Sequence, residues 1–316
     1  MHNSEMRRFC INCLIFFLIV AACDFAIGQG LSYWRTNKSE GFVGNIEYSY
    51  RRSTDDVMVL GASRATFHYV PDIIADSLGL SCCNCGRYGM GILYTYGRWR
   101  MMKSHHVPKL ILYDVTANDY DRKEENARFI NDLKPYYDCD GMKELFEDVD
   151  SMEKFKVQSL LYRNNSKLLD IFVGHMMADE MKKGYIPLHG TLGKHYLKKD
   201  TPHTICALKM KYMEKFIQET QKDHVTVIFL ISPYYVHDFA TFPDELKNLF
   251  DKYHVAYFDY SNMEGISGHP DKFIITKHMN DIGAREYTRR IIPQIRKVLR
   301  DAGIECRGAS QQQATI

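Results

Sequence analysis

Short apolar runs separated by helical stretches set the limits on what this chain can become. Val57–Leu60, Leu80–Cys83, Leu110–Asp114, Val225–Ile231 and Val255–Tyr260 are nearly continuous in apolar residues. Strands that alternate apolar and polar residues have one wet face, whereas continuous runs of this length suit strands buried on both faces. Between them, Pro71–Leu78, Gly89–Lys103, Ala207–Gln221, Pro243–Tyr253 and Ile282–Ala302 read as helices. In the second of these, Ile92, Tyr96 and Trp99 recur at helical spacing. Alternating strands and helices predict a three-layer α/β/α fold around a parallel sheet. Residues 122–203 break the rhythm and read as a mostly helical insertion. With 316 residues and 45% hydrophobic residues, the chain can bury one large core.

The N-terminus carries a second constraint. Arg7 and Arg8 precede a mostly apolar run from Phe9 to Gly28, about the length that spans a bilayer. Arginines before such a run favour a cytoplasmic N-terminus with the rest of the chain outside. Three fates are open: a retained anchor, cleavage after Ala26-Ile27-Gly28, or lipidation of Cys23 in Val20-Ala21-Ala22-Cys23. The anchor is the expected one. The division that follows is 1–29 as anchor or signal segment, 30–54 as a polar linker, 55–303 as the folded domain and 304–316 as a tail.

Composition excludes some functions. A net charge of +2 without a basic stripe gives no nucleic-acid footprint. No Gly-x-Gly-x-x-Gly follows the first strand, which argues against a dinucleotide cofactor, and no cofactor is expected. Cys82-Cys83-Asn84-Cys85 lacks zinc-site spacing. The six cysteines outside the N-terminal run are expected mostly as small buried side chains, although an exported domain permits disulfides.

Polar residues with chemical potential collect after the strands. Ser63 follows the first strand in Gly61-Ala62-Ser63-Arg64, Asn84-Cys85-Gly86 the second, and Asn118-Asp119 the third. His278 precedes the last helix. Loops beyond the carboxyl ends of parallel strands line one crevice. There a serine could be activated by a histidine, with the Ser63 and Gly86 N–H groups and the Asn118 amide facing an oxyanion. Arg64 is a candidate for an anionic substrate group, and Tyr234, in Ser232-Pro233-Tyr234-Tyr235, for stacking on a sugar. His68 either enters the cleft or packs at a helix start. Asp114 and Asp119 read as an acid–base pair or as a loop cap. His105-His106 reads as a helix end, and His189 as a possible rim of the crevice.

These blocks resemble the SGNH hydrolase superfamily over about residues 55–303. The resemblance rests on Gly61-Ala62-Ser63, Gly86, Asn118-Asp119 and His278-Met279-Asn280-Asp281-Ile282-Gly283-Ala284. It is nearest to membrane-anchored, extracytoplasmic members from bacterial envelope and polysaccharide pathways. It implies a serine esterase or O-acyltransferase acting on an acylated carbohydrate or other ester, with envelope-pathway proteins as possible partners. Ser63 would be the nucleophile, His278 the base, and Ser63, Gly86 and Asn118 the oxyanion donors. The family places an aspartate three residues before the histidine, and here that position is Ile275. Asp271 is the candidate to orient the ring instead. The alternative is a non-catalytic binding or assembly protein that keeps the fold.

Overall fold

The computed structural model describes residues 2–38, 40–122, 126–165, 181–193, 204–236 and 242–306. Five parallel strands form the central sheet: β1 (Val57–Gly61), β2 (Cys82–Asn84), β3 (Leu110–Asp114), β4 (Thr226–Ile231) and β5 (Ala256–Asp259). Their order is β2-β1-β3-β4-β5. Gly61 pairs with Asp114 and Asp114 with Leu230, so β1, β3 and β4 end at one level. The chain reverses its direction of strand addition between β1 and β3, and ligands bind at such switch points.

Alternate residues of each strand feed two separate cores. Met58, Leu60, Ile111, Tyr113, Val227 and Phe229 pack on one face, beneath α5 (Ile92–Lys103), α9 (Ala207–Lys222) and α10 (Asp244–Lys252). Val57, Val59, Leu110, Leu112, Ile228 and Leu230 pack on the other. That face lies beneath α3 (Ser63–His68), α4 (Pro71–Leu78) and α11 (Asp281–Asp301). The three layers and the parallel sheet are as the apolar runs require.

The linker expected at 30–54 is instead structured. A helix, α1, runs unbroken from His2 to Lys38, and α2 follows over Gly41–Arg51. α2 buries Val43, Ile46, Glu47 and Ser49. Its polar residues reach the interior because they are paired. Arg35 of α1 bonds the Glu47 carboxylate, Tyr136 donates to Glu47 at 2.6 Å, and buried Arg98 donates to Ser49 Oγ at 2.6 Å. Polarity on a buried, paired face reads as a linker by composition alone.

From Phe9 to Ile27, α1 carries a row of exposed large apolar side chains. It is long and apolar enough to cross a membrane. Near the end of that row it docks on the domain. Asp24 accepts the Leu160 and Leu161 N–H groups at 2.9 and 3.2 Å, at the start of α8 (Leu160–Asn165).

The insertion is helical in its first half: a 3₁₀ segment over Asn126–Tyr136, then α6 (Met142–Val149), α7 (Glu153–Lys156) and α8. Residues 181–193 are mainly irregular and return along the sheet's carboxyl edge. Residues 166–180, 194–203 and most of the tail lie outside the described residues. All nine cysteines are free thiols, and Cys82, Cys83, Cys85 and Cys206 are buried.

Candidate active site

β1 ends at Gly61 with φ of +133°, a conformation that side-chain-bearing residues rarely adopt. A Cβ there would also lie 2.5 Å from the Asp114 carbonyl oxygen. Glycine therefore lets the chain turn directly from strand into α3. Ser63 is the first residue of that helix, where a backbone N–H has no acceptor within the helix. The serine side chain is half-buried.

His278 reaches it from a hairpin that the apolar pattern did not reveal. β6 (Phe273–Ile275) pairs antiparallel with β7 (His278–Met279). At the tip of this hairpin, His278 Nε2 lies 2.9 Å from Ser63 Oγ. The two residues are 215 positions apart in sequence and meet at the carboxyl edge of the sheet. Asn280 secures the hairpin's exit. Its Oδ1 accepts the Gly283 N–H at 3.0 Å and caps α11, while its Nδ2 donates to the Gly190 and Asp271 carbonyls at 2.8 and 2.6 Å.

The orienting acid is not Asp271. That side chain is exposed, and only its carbonyl turns inward, to Asn280. Ile275 pairs directly opposite His278 in the hairpin. Among the described residues no side chain or carbonyl bonds Nδ1 of His278. Burial, helped by the positive charges of Arg64 and Lys277, lowers the His278 pKa to about 4.

The expected oxyanion donors fare differently. The Gly86 N–H is spent on Asn84 Oδ1 at 2.9 Å, and Asn84 Nδ2 in turn bonds the Ala65 and Tyr69 carbonyls at 2.7 and 3.0 Å. Gly86 therefore serves packing. A Cβ at that position would lie 2.6 Å from the Thr66 nitrogen, in the first turns of α3. Asn118 sits in a 3₁₀ turn just past β3 and donates to the Met90 carbonyl at 3.0 Å. Asp119 is the cap of this turn. Its carboxylate accepts Thr116 N–H at 2.7 Å and Tyr113 O–H at 2.6 Å. Burial nevertheless raises its pKa to about 6.

Arg64 and Tyr234 do not face substrate. Arg64 is 2% exposed. Its guanidinium lies 2.8 Å from Asp114 Oδ1, donates to the Ser232 carbonyl at 3.1 Å and to the Val115 carbonyl, and sits 4.4 Å from the centroid of the Tyr234 ring. Tyr234 is a buried lid on that cation. Asp114 is likewise buried and accepts Tyr69 O–H at 2.7 Å, so it forms no acid–base pair with Asp119.

His68 is fully buried. Its Nε2 accepts the Met279 N–H at 3.0 Å and its Nδ1 lies 2.7 Å from Ser232 Oγ. His189 is exposed in the returning segment, next to the start of α11, where Asp281 N–H donates to the Leu188 carbonyl at 2.8 Å. His105 and His106 lie in the turn leading into β3, at the opposite end of the sheet.

Half-buried rings flank the pair, unsignalled by any motif. Phe67 stands edge-on to His278 with centroids 5.1 Å apart and stacks on Tyr88 at 5.7 Å. Tyr88 meets Phe42 of α2 at 4.4 Å.

No family model matches the chain, and no curated protein matches it. Among solved structures similar to it is a protein described as lipolytic, of the G-D-S-L family, from Desulfitobacterium hafniense. It has 10% identity and a TM-score of 0.37, over 75% of this chain and 97% of that one. Another is Axe2, an acetylxylan esterase from Geobacillus stearothermophilus, with 12% identity and a TM-score of 0.37 over 80% and 96%. Likeness at this level carries no argument about the reaction.

Proposed function

We propose that this chain is an SGNH-type serine acyl-ester hydrolase or O-acyltransferase acting on an acylated glycan. The observation that carries the reading is the 2.9 Å contact between His278 Nε2 and Ser63 Oγ at the switch point of a parallel sheet. Ser63 Oγ attacks the acyl carbonyl while its proton passes to His278 Nε2. The Ser63 N–H, with no acceptor inside its helix, is the donor for the oxyanion, and the second N–H of the Asn118 amide, whose other N–H bonds the Met90 carbonyl, is the candidate to join it. The alkoxide leaves with the proton from His278, and water or a sugar hydroxyl then attacks the acyl-serine. The rings of Phe67 and Tyr88, rather than Tyr234, offer apolar faces to a sugar. Arg7 and Arg8 support an extracytoplasmic domain, and the continuous α1, docked at Asp24, supports a retained anchor.

The pH profile tests the base. His278 acts only when unprotonated, and its pKa is lowered to about 4. Hydrolysis should hold about nine-tenths of its plateau at pH 5, where an ordinary histidine of about 6.5 would leave a few per cent. An acidic limb near 6.5 in kcat/KM would remove His278 as the buried base. Stability sets the lower bound of this measurement. His278 and His68 both have folded pKa values below their unfolded ones. As pH falls below about 6.5 the unfolded chain takes up protons that the fold refuses, and stability declines.

Ile275→Asp tests the missing acid. Residues directly opposite on an antiparallel pair have Cβ atoms about 5 Å apart on the same face, so the new carboxylate would face the His278 ring. It would stabilise the imidazolium and raise the base toward neutrality, where general-base catalysis is strongest. Loss of the acid from a serine protease triad costs about 10⁴ in turnover, and partial restoration should raise kcat roughly 10- to 100-fold while moving the acidic limb upward. Ile275 is 39% exposed, so the added charge stays hydrated. Unchanged kcat together with an unmoved limb would show that the ring does not respond to a carboxylate at this position.

A further inference from the structure

One six-residue helix grips two consecutive residues of the base-bearing hairpin. From α3, Ser63 Oγ meets His278 Nε2 at 2.9 Å, Phe67 packs edge-on against the His278 ring, and His68 Nε2 accepts the Met279 N–H at 3.0 Å. Positions 63 and 67 lie on the same side of a helix, one turn apart. The third contact fixes the tautomer of His68. Because Nε2 accepts a backbone N–H, it carries no proton, and the neutral ring holds its proton on Nδ1. That proton is donated to Ser232 Oγ across 2.7 Å. Ser232 is itself held, its N–H donating to Asp114 Oδ2 at 3.3 Å and its carbonyl accepting from Arg64. The path runs from the Arg64–Asp114 pair through Ser232 and His68 to the backbone beside the base.

We infer that His68 is a positioning residue that holds His278 on Ser63, fixing the hairpin backbone next to a base that no acid among the described residues orients. The inference rests on the proposed roles of Ser63 and His278, but its geometry can be tested apart from turnover. His68 touches no reacting atom, and its own burial, with the neighbouring His278 and the charge of Arg64, keeps it neutral.

The test uses His68→Leu and His68→Gln in the full-length, detergent-solubilised protein. Leucine removes the acceptor for Met279 N–H, whereas glutamine can place its carbonyl oxygen near the former Nε2. The first readout is the NMR titration of the His278 ring, which needs no catalysis. In His68→Leu the freed hairpin should let the ring leave its buried seat, and its midpoint should climb from about 4 toward the ordinary value of about 6.5. In His68→Gln it should stay near the wild-type value. The second readout is the rate of Ser63 labelling by a serine-directed organophosphorus probe. A displacement of about 1 Å can cost on the order of 10² in rate, so His68→Leu should fall at least about tenfold and His68→Gln should recover most of the loss. If His68→Leu does not fold, Ser232→Ala is read in the same way. It removes the partner that holds the His68 tautomer, and labelling should drop about threefold, a fraction of the loss expected for full misplacement. A wild-type titration and a wild-type labelling rate in these variants would overturn the inference. A wild-type protein that never labels would instead sink the nucleophile reading, and the titration would still decide the role of His68.

Discussion

Ser63→Ala is expected to abolish covalent labelling by a serine-directed organophosphorus probe and to lower ester hydrolysis by at least about 10³-fold. Nucleophile and base act as a unit, so removing either should cost nearly as much as removing both. His278→Gln should therefore resemble Ser63→Ala, and the double variant should be no worse than the single ones. The fold should not notice the serine change. Among the described residues Ser63 Oγ bonds His278 alone, and the deleted atom sits at a half-buried helix start. Melting within about 1 °C of wild type is the expected control, as for substitutions that break no buried network. Acetylated oligosaccharides and small acetyl esters are the substrates to assay. Turnover that survives Ser63→Ala at intact stability would place the chemistry elsewhere. A wild-type chain that neither labels nor turns over any acetyl ester, and gains nothing from Ile275→Asp, would favour the alternative of a binding or assembly protein.

How much of this was legible beforehand depended on where each side chain's polarity ends up. The central strands could be read because both of their faces are buried, which forces continuous apolar runs such as Leu-Ile-Leu-Tyr-Asp over β3. The pairing of Ser63 with His278 could be read because both follow strand ends that a parallel sheet gathers at one edge. Other readings failed. α2 looked like a linker because Glu47 and Ser49 are buried against arginines from other elements. The β6–β7 hairpin escaped because strands of three and two residues give periodicity nothing to act on. Arg64 and Tyr234 were expected in the crevice because arginine and tyrosine suit ligands. Only the fold shows the guanidinium turned under the sheet's edge and covered by the ring. Asp271 failed for the reverse reason. Its carboxylate faces solvent while its backbone carbonyl does the structural work.

Breaking the Arg64–Asp114 pair should cost the fold heavily. Arg64 is 2% exposed and Asp114 fully buried. Burial drives the Asp114 pKa upward, opposed by Arg64 and by the Ser232 and Tyr69 donors. The arginine stays charged: burial is the strongest single influence and works against the charge, but Asp114 together with Tyr234, Tyr69 and Tyr287 outweighs it. The 2.8 Å contact to Oδ1 lacks an aligned N–H, and Arg64 Nε has no hydrogen-bond partner among the described residues. The pair is therefore held by charge more than by hydrogen bonding, and each partner alone would be an uncompensated buried charge. Removing one partner of such a pair costs about 3–5 kcal/mol, whereas replacing both with apolar side chains can be nearly neutral. Arg64→Met and Asp114→Leu should each lower the melting temperature by on the order of 10 °C, and the double variant should recover more than half of either loss. The recovered protein should still be slow. Arg64 follows the nucleophile directly, and Asp114 holds the Ser232 that bonds His68, so a stable double variant would separate folding from alignment. Thermal melts and Ser63 labelling rates on the same four proteins decide it. Additive losses in the melts would mean that the two charges do not compensate each other, and full labelling in the double variant would mean that the network stabilises α3 without aligning the pair it carries.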